Sequence, residues 1–157
     1  MSDPSPRSGL VYTALALAVV SLGLAVFALL RAADEPKYTD DQRSQAKAAI
    51  CAAFETVSKG VAMNTNLAPP GGSDDIGGAL AVAANARVAL NDGGQYLLAR
   101  LDPATPADLA REVRNFGNQL MDIGAAATAG APNTDPTQAD RLTNAEAAST
   151  TIVGLCR

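Results

Sequence analysis

The two cysteines of this chain are its clearest candidates for covalent chemistry. Cys51 and Cys156 are the only cysteines among 157 residues, and the second stands in the segment "TIVGLCR". If the fold brings them together they can form a disulfide, and a crosslink between residues 105 apart stabilises a fold by up to about 4–5 kcal/mol in a loop-entropy estimate. The alternative is two small, buried free thiols. We predict the disulfide, which requires the helices carrying the two cysteines to be neighbours.

Other residue types that commonly carry catalysis are absent from the sequence, or stand where their role at the start of a helix accounts for them. The chain has no histidine, which excludes histidine triads, histidine general bases and most zinc sites. Adjacent carboxylates at 34–35, 40–41 and 74–75 lie in a linker or a first helical turn, where capping and the helix dipole favour them. The segment "GGSDDIGG" lacks the lysine of a phosphate loop. We therefore predict no catalytic residue, metal ligand or cofactor site, and a protein that is not an enzyme.

The segment "QYLLARL" is a candidate contact site. It places Tyr96, Leu97 and Leu101 in a predicted connection between two helices, where polar residues are usual. One interpretation is a lid that closes the end of a helical bundle. The other is a surface contact for a partner or an apolar ligand.

Residues 10–30 are predicted to cross a membrane. These 21 residues carry no charge, and as a helix they extend about 31 Å, close to the roughly 30 Å hydrocarbon core of a bilayer. The apolar part of a cleaved signal peptide is shorter, about 7–15 residues, and ends in small residues rather than at Arg31. We therefore predict a tail at 1–9, an uncleaved signal anchor at 10–30 and a juxtamembrane linker at 31–38.

Small residues follow one face of the predicted anchor. Ala14, Ala18, Ser21 and Ala25 recur at spacings of four, three and four. Such a face lets two helices approach closely in lipid, so we expect it to contact another membrane protein. The alternative is that alanine is simply abundant in this chain.

Two rules disagree on which side of the membrane the domain lies. Arg7 alone precedes the span, whereas two arginines and two lysines follow it within 17 residues, which places the domain in the cytoplasm. A disulfide persists outside the cytoplasm. We favour a single-pass protein of the cell membrane with its domain on the extracytoplasmic, periplasmic side.

Capping residues and apolar periodicity predict four helices in residues 39–157. Thr39 and Gln42 fit a capping box before the first helix, and Ser73 or Asp74 caps the second, which we expect to end at "NDGG". Thr105 is expected to cap the third helix and Asp135 the fourth. The stripes expected to face the core are Ile50, Phe54, Val57 and Val61; Leu109, Val113, Phe116, Leu120 and Ile123; and Leu142, Ala145, Ser149, Ile152 and Cys156.

Short connections between these helices favour antiparallel neighbours. Gly117 and Gly124 in the third helix are expected to let another helix approach closely. The predicted fold is all-α: one N-terminal transmembrane helix followed by an antiparallel, disulfide-linked four-helix bundle.

The stretches "CAAFETVSKGVAMNTN", "AVAANARVAL", "GGQYLLARLDPATP" and "GLCR" resemble those of small alanine-rich, single-pass membrane proteins of mycobacteria and related actinobacteria. The resemblance covers most of the domain and implies a location in the cell envelope. It implies no active site.

Three functions fit these features. The net charge of −4 argues against a nucleic-acid partner, which requires a basic surface. The first hypothesis is a non-enzymatic accessory or scaffold protein that associates with integral membrane proteins of the cell envelope, anchored in the bilayer. The alternative is an extracytoplasmic helical module that binds a lipid or other apolar ligand, and an apolar cavity would favour it. A cytoplasmic-facing regulator is the third, if the charge rule holds.

Overall fold

The computed structural model describes Tyr12, residues 18–24 and residues 38–157. Residues 38–157 form one compact unit of four helices without a strand, and Tyr12 and residues 18–24 are helical parts of a separate unit. Most of the predicted membrane span lies outside the described residues. Within them, no helix is both long and apolar enough to cross a membrane. The helices of the domain are α1 (Asp40–Thr65), α2 (Ile76–Ala99), α3 (Ala107–Thr128) and α4 (Pro136–Cys156).

The starts of α1 and α4 confirm the predicted caps. The Oγ1 of Thr39 accepts a hydrogen bond from the backbone N–H of Gln42 (3.2 Å), and Gln42 Oε1 accepts one from the N–H of Thr39 (2.9 Å). This reciprocal capping box satisfies two backbone donors that a helix start leaves free. Asp135 similarly accepts from the N–H of Gln138 (3.1 Å), and Pro136 takes the first helical position.

The cap of α2 lies one or two residues later than predicted. Asp75, rather than Ser73 or Asp74, precedes the helix, and its carboxylate accepts from the N–H of Gly78 (2.8 Å). The same carboxylate accepts from the N–H of Gly71 (3.1 Å). Because one side chain caps the helix and also closes the preceding turn, Asp75 is the better cap.

The prediction that Thr105 caps α3 is wrong. The residue before the helix is Pro106, which makes no side-chain hydrogen bond. Asp102 sets this turn, since its carboxylate accepts from the N–H of Ala104 (2.7 Å) and its carbonyl from the N–H of Thr105 (3.0 Å). The turn directs Thr105 inward, and its hydroxyl is buried without a partner among the described residues.

The second helix does not end at "NDGG" but continues through it to Ala99. A Cβ on Gly93 would lie 2.8 Å from Val57 Cγ1 of α1, and a Cβ on Gly94 would lie 2.5 Å from the carbonyl oxygen of Gly117 in α3. The two glycines are therefore where α2 packs closely against both neighbouring helices. Each costs about 1 kcal/mol of helix propensity, and close packing offsets that cost.

The core is centred on α3, as its periodicity predicts. All five residues of the predicted α3 stripe are buried: Leu109, Val113, Phe116, Leu120 and Ile123. Phe116 meets Phe54 of α1 edge to face, with ring centroids 5.4 Å apart, a favourable arrangement for aromatic rings. Ile152 of α4 is fully buried, and α3 packs against both α2 and α4.

A buried amide fixes the beginning of α4 against the end of α3. Gln138 is fully buried, and its Nε2 donates to the carbonyl oxygen of Ile123 (3.1 Å). Its Oε1 accepts from Nη1 of Arg141 (3.4 Å). Since a buried polar group without a hydrogen bond costs free energy, this pairing favours one alignment of α3 and α4.

Candidate binding cleft

The predicted disulfide is present and joins the first helix to the last. Cys156 ends α4 and is bonded to Cys51 of α1, with the two Cα atoms 5.8 Å apart. The antiparallel order returns the end of α4 to the level of Cys51, as the topology predicts. The first and last helices contact each other much less than any two consecutive helices do.

A cleft lies between the helices beyond the disulfide, toward the end of the domain where α1 finishes and α4 begins. It has a volume of about 460 Å³, within the range of roughly 300–1,000 Å³ that is usual for small-molecule sites. All four helices line it. Because α1 and α4 pack little against each other, α2 and α3 provide most of its inner wall.

The inner wall of the cleft is apolar. Its buried members come from three helices and are Leu90, Phe116, Leu120, Ile123 and Ala145. Small side chains on the remaining surface leave the space unfilled: Ala62, Ala83, Ala86, Ala127 and Ser149. An apolar site of this kind favours an apolar ligand, because contact removes hydrophobic surface from water.

Two polar atoms in the cleft have no partner. Arg87 Nε, from α2, and Ser58 Oγ, from α1, are buried, and neither forms a hydrogen bond within the described part of the chain. Leaving a buried donor unpaired costs free energy, so such groups in a folded protein require an explanation. A bound ligand that supplies a hydrogen-bond acceptor is one such explanation.

The predicted core-facing stripe of α4 is wrong at one residue, which lies at the outer edge of the cleft. Leu142 was expected in the core-facing stripe of α4, but it is 37 % exposed at the edge of the cleft. Ala148, which the predicted stripe omits, is buried instead. The helix is therefore rotated so that Leu142 and Glu146 border the cleft rather than fill it.

The predicted contact segment "QYLLARL" is not a connection between helices, because α2 continues into it as far as Ala99. Leu97 is fully buried in the core and Leu101 is partly buried, so neither forms an exposed apolar surface. Tyr96 is 36 % exposed, and the guanidinium carbon of Arg100 lies 3.4 Å from the centre of its ring. A cation over an aromatic face is a stabilising pair, which gives Tyr96 a contact within the domain.

The predicted contact face of the anchor is only partly described. Ala14 and Ala25 lie outside the described residues. Ala18 and Ser21 are helical, and Ser21 Oγ donates to the carbonyl oxygen of Ala18 (2.9 Å). The contact between this face and another membrane protein stays a prediction.

Arg111, at the start of α3, forms two ion pairs within the domain. The pKa of Arg111 is raised, first by its hydrogen bond to Asp108 (2.9 Å) and then by that to Glu112 (3.3 Å). These residues lie in the first turns of α3 and do not line the cleft. Among the described residues, no group of three acidic, cysteine or histidine side chains is placed to hold a metal ion.

Comparisons with family models, curated proteins and solved structures find no match for this chain. The resemblance to alanine-rich actinobacterial membrane proteins therefore stays a prediction. The functional interpretation depends on the cleft itself.

The cleft was not predicted from the sequence. In the sequence, Arg87 is a single charge that interrupts the apolar run of α2, and the abundance of alanine around it obscures which face is buried. The available signal is a single arginine within the otherwise uncharged segment "AVAANARVAL", which is rich in alanine.

Proposed function

We propose that residues 38–157 form a binding module that takes an apolar ligand into the cleft. The observation that supports this most directly is the 460 Å³ space lined by all four helices, with a buried apolar wall. An accessory role through "QYLLARL" is less well supported, because Leu97 belongs to the core. The protein is further proposed to be held at the membrane by residues 10–30, with the module outside the cytoplasm, where its disulfide is stable.

A tryptophan reporter tests ligand entry directly, since the chain contains no tryptophan. Leu142→Trp places an indole at the edge of the cleft, and Ala81→Trp places one on an exposed position of α2 that does not line it. The full-length protein in lipid nanodiscs is titrated with 12-bromododecanol and with 12-bromododecanoate, whose bromine quenches indole fluorescence on contact. Nonspecific partition into the lipid contributes to both reporters.

We expect at least one probe to quench Leu142→Trp at lower concentration than Ala81→Trp. Filling the cleft with Ala86→Leu in the Leu142→Trp protein should weaken that quenching, whereas Ala81→Leu in the same protein should not. If neither probe distinguishes the two reporters, the cleft does not bind apolar chains and the proposed function is wrong.

A further inference from the structure

The unpaired arginine in the cleft indicates the kind of head group that a ligand carries. Arg87 Nε is buried without a partner in the described residues, and it belongs to a positively charged guanidinium group. No carboxylate of the described residues lies within ion-pair distance of it. A positive charge thus lines an apolar cleft without forming an ion pair within the described residues.

We propose that the cleft binds a single-chain amphiphile whose anionic head group pairs with Arg87. This rests on the proposed function and specifies its ligand. Carboxylate and phosphate oxygens match the planar fork of a guanidinium, and charge-assisted bonds of this type are stronger than those to a neutral hydroxyl. Ser58 Oγ is a second unpaired donor on the wall of the same cleft.

The size of the cleft favours one chain rather than two. Its 460 Å³ lies in the lower half of the usual range of ligand sites, and its apolar wall includes Leu90, Leu120 and Ile123. A single acyl chain in this cleft can bring its head group to Arg87, which lines the same space, whereas a two-chain lipid needs more space. The shared chemistry of the proposed ligands is an alkyl chain that ends in a carboxylate or a phosphate.

Glu146 sets a limit on this affinity. Its exposed carboxylate borders the cleft, so it repels an incoming anion. Removing that charge with Glu146→Gln should therefore tighten the binding of an anionic chain and leave a neutral chain unaffected.

The experiment compares the two bromine probes with the Leu142→Trp reporter, corrected by Ala81→Trp. We expect 12-bromododecanoate to bind at least tenfold more tightly than 12-bromododecanol. Arg87→Gln should remove that preference, whereas Arg114→Gln, which deletes an exposed arginine that does not line the cleft, should retain it. Displacement of the bromo acid by dodecanoate or by dodecyl phosphate then identifies the preferred head group.

The outcomes separate this inference from the proposed function. Equal binding of the acid and the alcohol overturns the role of Arg87 while leaving an apolar binding module. So does a preference for the acid that survives Arg87→Gln. The comparison of the acid with the alcohol uses no arginine variant, so it remains informative even if Arg87→Gln does not fold. Absence of reporter-specific quenching by either probe instead overturns the proposed function.

Discussion

The contact between Gly94 and Gly117 makes the clearest prediction of this fold. A methyl group on Gly94 would lie 2.5 Å from the carbonyl oxygen of Gly117 and 2.6 Å from Met121 Cγ. The first of these neighbours is backbone, so α2 and α3 must separate to admit the new group. Overpacking of this kind costs about 1–3 kcal/mol, and the backbone contact places Gly94→Ala near the upper end of that range. The better helix propensity of alanine returns about 1 kcal/mol, so the expected net loss is about 2 kcal/mol.

Gly154→Ala is the matched control, because a Cβ there meets nothing within 4 Å and the residue is exposed in α4. It should gain the roughly 1 kcal/mol of propensity without the packing cost. Urea unfolding of full-length protein, followed by circular dichroism under fixed detergent conditions, measures both variants. We expect their free energies of unfolding to differ by about 3 kcal/mol, with opposite signs relative to wild type. If Gly94→Ala is as stable as Gly154→Ala, α2 and α3 are not in close contact at this point.

Three further experiments test other properties of the protein. Cys51→Ser should lower the free energy of unfolding by about 2–5 kcal/mol, as for other native crosslinks; two free thiols in unreduced protein from its native membrane would contradict the disulfide. Arg87→Met should raise the free energy of unfolding of ligand-free protein by about 1 kcal/mol. The substitution removes an unpaired buried donor and retains an unbranched side chain whose stem is apolar. A loss of stability would instead assign Arg87 a structural role. Finally, an introduced Asn133→Cys should react with a membrane-impermeant thiol reagent in intact cells, or in spheroplasts if an outer layer blocks the reagent, whereas Ser2→Cys should react only after the inner membrane is permeabilised. The reverse pattern would place the domain in the cytoplasm.

The parts of the fold that sequence predicts well are those where one local signal decides. In α3, large apolar residues recur on a single face, and all five are buried. The capping box at Thr39 and the Asp-Pro start at Asp135 need only neighbouring residues to form, so their spacing is sufficient. The pairing of Cys51 with Cys156 follows from helix count and order, because four antiparallel helices return the last residues to the first helix.

The predictions that fail depend on contacts between helices. Asn91 to Gly94 reads as a helix end because asparagine, aspartate and glycine disfavour helices, and only the proximity of Val57 and Gly117 explains why α2 continues. The periodicity of apolar residues does not predict the cleft either, because the cleft depends on the distance between α1 and α4. No residue type along either helix encodes that distance alone.

The bond between Cys51 and Cys156 also determines how the domain carries mechanical load. When tension is applied between Tyr38 and Arg157, the covalent link passes the force directly from α1 to the end of α4. Only the segment from Tyr38 to Cys51 and the bond from Cys156 to Arg157 then carry tension, and the 13-residue step from Tyr38 to Cys51 is at most about 45 Å long when fully stretched. Every residue that lines the cleft lies between the two cysteines in the chain. Pulling on the ends of the domain therefore leaves the cleft outside the line of force.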